Sequence, residues 1–391
     1  MINLLGEGTV VGYCTNVHAG ASWEEARSNL ERHAVAVKKR IYPDAPMGIG
    51  LWLSANTVTG ILEKGGVQEL VGFLDSLGLS VFTLNGFPYG DFHQPVVKHK
   101  VYEPDWGEES RLEYTLQLVS ILSELVPDMG EGSISTLPVG WAKAATTQTD
   151  IDKAVSQFVR LSEHLQENEI ETGKLVHVDL EPEPGCYLDR CGDVVDFFKE
   201  RLFREGSEEI VHRYLRVCHD VCHSAVMFEG QRDILERYQS AGIQIGKAQI
   251  SSAIKVNFAG MNDEDRERAL EQLRSFQEDR YLHQTFVRDP EGGKQFFEDL
   301  PLALDSIAGE EKPTGEWRVH FHVPIFLESA GAIGTTQDQI MEGLPLLMGS
   351  GVKHYEVETY AWNVLPESLR EENLADGIAR ELEWLKAQVE W

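Results

Sequence analysis

Apolar runs of strand length, rich in Val, Ile and Leu, alternate along this chain with segments whose apolar residues recur at helical spacing. Residues 10–16 read as a strand and 23–40 as a helix opened by Ser22, an N-cap with Glu25 three residues on. The pattern then repeats as strand 47–53 with helix 58–77, strand 80–85 with helix 109–125, strand 132–137 with helix 150–166, and strand 175–180 with helix 194–203. A strand over 214–219 leads to a helix over 231–241, and a strand over 244–250 to a helix over 264–278. Residues 281–315 are charged and punctuated by Gly and Pro, which predicts an insertion, and 318–324 resumes as an extended segment. A helix over 337–348, a strand over 353–359 and a helix over 374–388 complete the pattern.

Strands that alternate with helices pair in parallel beneath a helical cover. About eight such units predict an α/β chain closed as a (β/α)8 barrel, with long loop insertions at its C-terminal face. Nine strand candidates compete for eight places, so either the segment ending near Gln249 or the one holding His322 is an arm or extended loop. No low-complexity tract or Gly/Ser linker marks a boundary, and 1–391 reads as one domain.

Charge and composition narrow the partners. With 64 acidic against 35 basic side chains the net charge is −29, and such a surface repels phosphodiester backbones and anionic lipid, so no nucleic-acid partner is expected. The first seven residues lack the basic segment and apolar run of a secretory leader, and no later stretch is apolar over the roughly 18 residues a membrane span needs. No membrane insertion and a cytoplasmic location are the expectation. Of the five cysteines, Cys14, Cys218 and Cys222 fall in apolar segments, where a thiol behaves as a small hydrophobe, while Cys186 and Cys191 lack a second thiol pair at zinc-site spacing.

Reactive groups of a βα barrel gather where strands open into the loops of the C-terminal face. His18, Asn85, Glu181, Asp220 with His223, Gln249, His322 and Glu358 all follow apolar strand runs. Val176 to Pro184 ends a buried strand with Glu181 and Glu183, and burying an unpaired carboxylate costs several kcal/mol by rough estimate, so a metal, a catalytic role or a neighbouring Arg or Lys must offset it. Asp220 and His223, three apart at a strand-to-helix turn, face one centre, or else the Asp caps the next helix. Alternation puts Glu356 and Glu358 on one strand face, one at the barrel mouth and the other deeper, and His320 and His322 share a face as ligands or as polar lining. The aromatic segment 85–105, with His93, Lys98 and Lys100, reads as a loop that covers a pocket or as ordinary surface.

In this order Glu181, Asp220, Gln249 and Glu358 resemble the metal set of the xylose-isomerase-like TIM barrels, which include sugar and cyclitol isomerases, dehydratases and AP endonucleases. The resemblance implies a divalent ion held by a Glu ending the fifth strand, an Asp ending the sixth in D-x-x-H, a His or Gln ending the seventh and a Glu ending the eighth. Gln249 in place of the frequent His is a weaker but harder ligand, favouring Mn2+ or Mg2+ with Zn2+ as the alternative. Where the endonuclease branch has D-x-H this chain has His320-Phe321-His322, so a three-zinc cluster is not expected. Segments 12–20 and 85–106 are also similar to the EboE family of metabolite-traffic proteins encoded in bacterial export gene clusters, which implies a small-molecule metabolite and partners from the same cluster.

The expected activity is metal-assisted isomerisation, epimerisation or dehydration of a small polyhydroxylated carbonyl compound. Glu181 or Glu358 would move the proton, and His223 or His322 would stabilise the enediolate oxygen. His18, Asn85, His93, Lys98 and His322 would contact the substrate, with Lys98 or Lys100 on an anionic substituent. The alternative is a non-catalytic metabolite carrier. A wet polar mouth favours the enzyme, and a deep aromatic trough from Phe87, Tyr89, Phe92 and Tyr102 favours the carrier. A purely structural scaffold predicts strand-end carboxylates neutralised by Arg or Lys.

Overall fold

The computed structural model describes residues 8–18, 20–63, 66–142, 145–307 and 312–389. The first seven residues, with the expectation about a leader, and Ala19 of segment 12–20 lie outside those described. Fourteen strands are present: β1 (Val10–Tyr13), β2 (Met47–Leu51), β3 (Leu79–Asn85), β4 (Glu131–Thr136), β5 (Leu175–Leu180), β6 (Leu215–Asp220), β7 (Ile245–Ile250), β8 (Ser252–Asn257), β9 (Thr285–Arg288), β10 (Lys294–Phe297), β11 (Glu316–Val323), β12 (Ser329–Ala330), β13 (Ile333–Thr335) and β14 (His354–Val357).

Eight of them pair in parallel in the order β1-β14-β7-β6-β5-β4-β3-β2. A parallel bridge between Cys14 and Gly50 joins the two edges, so the sheet closes as a (β/α)8 barrel. Its strands are buried on both faces, which is why they read in sequence as near-continuous apolar runs. The helix after β1 opens as expected: the Ser22 hydroxyl accepts from the Glu25 N–H and the Glu25 carboxylate from the Ser22 N–H. Residues 58–77 are not one helix but two, Ala55–Glu63 and Val67–Leu77, because Gly66 sits at φ 73°, in the left-handed region that an α-helix cannot use.

The competition for the eighth barrel place is resolved in favour of the strand ending at Gln249. The segment holding His322 is β11, in a second, antiparallel sheet of order β10-β9-β11-β8-β13-β12. Only Ser251 separates β7 from β8, so the chain leaves the barrel wall and enters the second sheet almost without a turn. Residues 281–315, expected as an irregular insertion, supply β9, β10 and the helix Leu300–Asp305. These strands of four residues are too short to show a period; β9 is ordered by pairing with β11, and β10 by pairing with β9. Along β11 the register runs from Val319 opposite Ile254 to Val323 opposite Ser252, four steps against two, and this bulge falls on His320 and His322. Bulges re-aim side chains, here toward the barrel mouth.

Inside the barrel the inward positions are polar. His177 Nδ1 lies 2.6 Å from Asp179 Oδ1 and His354 Nδ1 lies 2.8 Å from Ser133 Oγ. Closer to the mouth, Lys247 Nζ pairs with Glu356 Oε2 at 2.5 Å and donates to Asn85 Oδ1 at 2.8 Å. A Cβ at residue 50 would stand 1.4 Å from Glu356 Oε1, so only glycine leaves room for this buried carboxylate.

Candidate functional site

Register brings the strand ends together. Asp220 lies opposite Gln249 and Gln249 opposite Glu356, so the ends of β6, β7 and β14 project neighbouring groups into one mouth. Glu181, Asp220 and Glu358, exposed by only 4%, 2% and 7%, each offer a carboxylate oxygen within 4.8 Å of the others. Asp220 both caps and points: Oδ1 accepts from the His223 N–H at 2.8 Å and the Ser251 hydroxyl at 2.7 Å, while Oδ2 has no hydrogen-bond partner. Gln249 Nε2 donates to Asn85 Oδ1 at 3.1 Å, and its Oε1 is likewise buried without a partner. Glu358 Oε1 accepts from Asn16 Nδ2 at 2.8 Å.

Unpartnered buried acceptors beside three clustered carboxylates need a positive charge. Lys247, the buried amine nearby, is spent on Glu356, and among the described residues no Lys or Arg pairs with Glu181, Asp220 or Glu358. The scaffold expectation of Arg or Lys neutralisation therefore describes Glu356 and not the three carboxylates above it. The donor set fits a divalent cation, all oxygen and mostly anionic.

The electrostatics carry the same signature. Burial pushes the Glu181 carboxyl up to about 7, with Asp220 and Glu183 adding to the rise against His223 and Lys247. Burial and the charges of Glu181 and Asp220 push Glu358 well above the carboxylate range. At Asp220 burial also raises, but His223, His322 and the two hydrogen bonds outweigh it and hold the group low. Uptake of Mn2+ by the metal-free protein must displace the protons that Glu181 and Glu358 carry, so apparent affinity is expected to fall at least about tenfold per unit below about pH 7. In the metal-free fold the Glu181 shift contributes stability at acid pH that is lost as pH rises from the ordinary carboxylate range through about 7. Calorimetry in two buffers of different ionisation enthalpy reads the proton release, and pH-independent uptake without release would remove both raised carboxylates, Glu181 and Glu358, from the centre.

Three imidazoles form a wall beside this floor, and each Nδ1 faces a carbonyl oxygen. His223 Nδ1 lies 2.9 Å from Pro182 O, His322 Nδ1 2.6 Å from Glu358 O, and His320 Nδ1 2.8 Å from Gln284 Oε1. The Gln284 amide is oriented by donating Nε2 to the Tyr102 hydroxyl and Glu183 Oε1, both at 3.0 Å. Since a carbonyl only accepts, the proton belongs on each Nδ1, which leaves Nε2 bare in the neutral ring. His320 Nε2 and His322 Nε2 nonetheless face each other at 3.2 Å. Burial and neighbouring imidazoles drive both rings down, His322 to about 4, so at neutral pH two lone pairs meet with no proton between them. His223 differs, because Asp220, Glu183 and Glu181 outweigh its burial and raise it. Metal-ligating atoms also approach within 4.8 Å in the sets Asp220/His223/His322, Glu183/His223/His320 and Cys222/His320/His322.

The floor and wall open into a cavity with about 610 Å³ of empty space, counting its open mouth. Of the residues expected to contact substrate, Asn85, Lys98 and His322 line it, but Asn85 donates to Glu356 and accepts from Lys247 and Gln249, and Lys98 Nζ is paired with Asp299 Oδ2 at 2.5 Å. His18 lies elsewhere, 3.0 Å from the Tyr13 hydroxyl and stacked on His33 in a separate small pocket. His93 stands behind the lining, with Nε2 2.6 Å from the Asn16 carbonyl and its ring edge-on to Phe92. Lys100 is exposed and Tyr89 packs on Tyr114, so neither lines the cavity. Glu183, Asn16, Tyr281 and Tyr360 line it without having been singled out as site residues from sequence. Glu183 had a signal, the Glu-Pro-Glu-Pro exit of β5. The five cysteines are buried and free. Among the described residues no helix is long and apolar enough to cross a membrane.

No family model matches the sequence, and no curated protein matches it. Among solved structures the chain is similar to the probable 3-DHS dehydratase AsbF involved in petrobactin synthesis from Bacillus anthracis, with 14% identity and a TM-score of 0.48 over 96% of this chain and 98% of that one. It is similar to the IOLI protein with a binding zinc atom, with 10% identity and a TM-score of 0.47 over 97% of each chain. It is also similar to a D-tagatose 3-epimerase-like protein, with 12% identity and a TM-score of 0.47 over 97% of each chain. At identities and TM-scores this low the likeness brings no activity, ligand or residue role to this chain. The (β/α)8 barrel rests on the chain's own strand order and registers.

Proposed function

We propose that this chain is a divalent-metal enzyme that abstracts a proton beside a carbonyl, the opening step shared by isomerisation, epimerisation and dehydration. The observation that carries the reading is the buried trio Glu181, Asp220 and Glu358, without a Lys or Arg partner among the described residues, while the deeper Glu356 has its own lysine. Glu181, Asp220, Glu358 and the Gln249 carbonyl oxygen would hold the ion, and this hard oxygen set favours Mn2+ or Mg2+. A bound divalent ion supplies Lewis acidity toward a carbonyl oxygen and a neighbouring hydroxyl.

The protein's own groups do the rest. Glu181 also lines the cavity, and its carboxylate would take a proton from carbon and return it. Glu358 is pinned by Asn16 and serves to hold. His223, raised by its acidic neighbours and fixed through Nδ1, presents a protonated Nε2 to the oxygen on which charge develops. His320 and His322, neutral with bare Nε2 atoms, accept and do not donate, and their facing pair fits a second, softer ion such as Zn2+ within reach of Cys222.

Elemental analysis after dialysis against trace Mn2+, Mg2+ and Zn2+ tests this. About one equivalent bound at the oxygen set is expected, with zinc adding about a second that His320→Ala and His322→Ala remove. A wild-type protein that retains no metal would sink the enzyme reading. The carrier alternative then leads: a metabolite-traffic protein of the EboE type that grips a precursor for partners encoded beside it, favoured by the aromatic walls around Phe87, Phe92 and Tyr102. Metal-dependent turnover of an α-hydroxyketone separates the two.

A further inference from the structure

Above its polar floor the cavity is lined mainly by aromatic rings. Phe92, Tyr281 and Tyr360 form one wall, with ring centroids 5.0, 5.1 and 5.4 Å apart. Phe87 stands edge-on to Tyr102 at 5.9 Å on the other, and Tyr102 is backed by Trp141 at 4.7 Å. Two of the three tyrosine hydroxyls in these walls are engaged by protein acceptors. Tyr102 donates to Glu183 Oε1 at 2.8 Å and Tyr281 to Phe92 O at 3.2 Å. The single lysine in the lining, Lys98, has its charge met by Asp299.

A sugar chain seated on the floor would press its distal hydroxyls against these rings and lose their water without replacement. Among the described residues a phosphate on this upper wall would find no unpaired Lys or Arg. A flat apolar ring gains from burial and from edge contacts with the surrounding rings. Resting on the metal-enzyme reading above, we propose that the substrate is an unphosphorylated carbonyl compound whose adjacent oxygens sit on the carboxylate and histidine floor and whose other end is an aryl group held between Phe87 and Phe92. The oxygen-rich part is thus one end of the molecule, not the whole of it.

Calorimetric titration of the full chain, Mn2+-loaded and chelator-stripped, with matched α-hydroxyketones tests this: phenacyl alcohol, hydroxyacetone, dihydroxyacetone phosphate and hydroxymethyl hexyl ketone. Phenacyl alcohol is expected to bind the loaded protein about tenfold or more tighter than hydroxyacetone, and dihydroxyacetone phosphate no tighter than hydroxyacetone. Phe87→Ala, at a half-buried position, and Phe92→Leu should each shrink the phenyl advantage to within about threefold, with melting curves confirming the fold. Equal binding of phenacyl alcohol and hydroxyacetone overturns the proposal, as does preference for the phosphate. Tighter binding of the hexyl ketone than of phenacyl alcohol overturns the aryl assignment. Metal-dependent binding without phenyl selectivity sinks this inference alone, whereas no ketone binding in either metal state sinks the metal-enzyme reading with it.

Discussion

Asp220→Asn is expected to give a folded protein that has lost more than about a hundredfold in Mn2+ affinity and, with it, activity. The substitution is chosen because Asp220 has two separable tasks. Through Oδ1 it caps the helix Val221–Val226 and accepts from Ser251, and an Asn carbonyl oxygen performs both. Through the unpartnered Oδ2 it presents negative charge to the centre, and an Asn amide cannot. Even residues that only orient a ligand cost about 10- to 100-fold in metal affinity when removed, so the loss of a charged ligand should exceed that. Ser251→Ala supplies the comparison, since it removes one hydrogen bond to Asp220 and should fall within that lower range. Equilibrium dialysis with Mn2+ and thermal melts of the three proteins decide it. If Asp220→Asn retains metal like wild type, Asp220 is a helix cap and nothing more, and the centre has been placed wrongly.

How far the site could be read in sequence follows from the physics of each part. Parallel strands buried on both faces announce themselves as apolar runs, so a carboxylate or amide at the end of such a run stands out, and Glu181, Asp220, Gln249 and Glu358 do. The division of labour between Glu356 and Glu358 is also legible, because two residues of one strand face differ only in depth. What escapes is whatever depends on pairing across long separations. Nothing near Lys98 shows that Asp299, 201 positions on, meets its charge, or that Asn85 is occupied by Lys247 and Glu356. His320 and His322 are visible as a pair, but the bulge that turns them toward the floor depends on β8, a strand that starts one residue after β7 ends and reads as its continuation. Gln284, which fixes the His320 ring, directly precedes β9, a four-residue strand that pairs with β11 and is too short to announce itself in sequence.

Beneath the metal floor, Lys247→Met is expected to destabilise the metal-free protein by about 3–5 kcal/mol, the cost of leaving one partner of a buried ion pair uncompensated. Lys247 and Glu356 are fully buried, and with Lys247 gone the carboxylate keeps only the Asn85 amide, at 2.9 and 3.2 Å. Glu356 cannot move aside, since Gly50 and the strand register confine it to the barrel axis. The double variant Lys247→Met with Glu356→Leu removes both charges and should recover most of the loss, because two well-packed apolar side chains often replace a buried pair at no net cost. Stability recovered in the double variant should not restore the centre. Asn85 Oδ1 would lose the lysine that orients it, and the Gln249 amide that donates to the same oxygen would be free to rotate, so Mn2+ affinity should remain about tenfold down. Urea denaturation of the three proteins, with chelator present, reads the first effect, and Mn2+ titration reads the second. A Lys247→Met protein within about 1 kcal/mol of wild type would mean that water or a proton already satisfies Glu356, and the contrast between a compensated layer below and an uncompensated one above, on which the metal assignment leans, would fail with it.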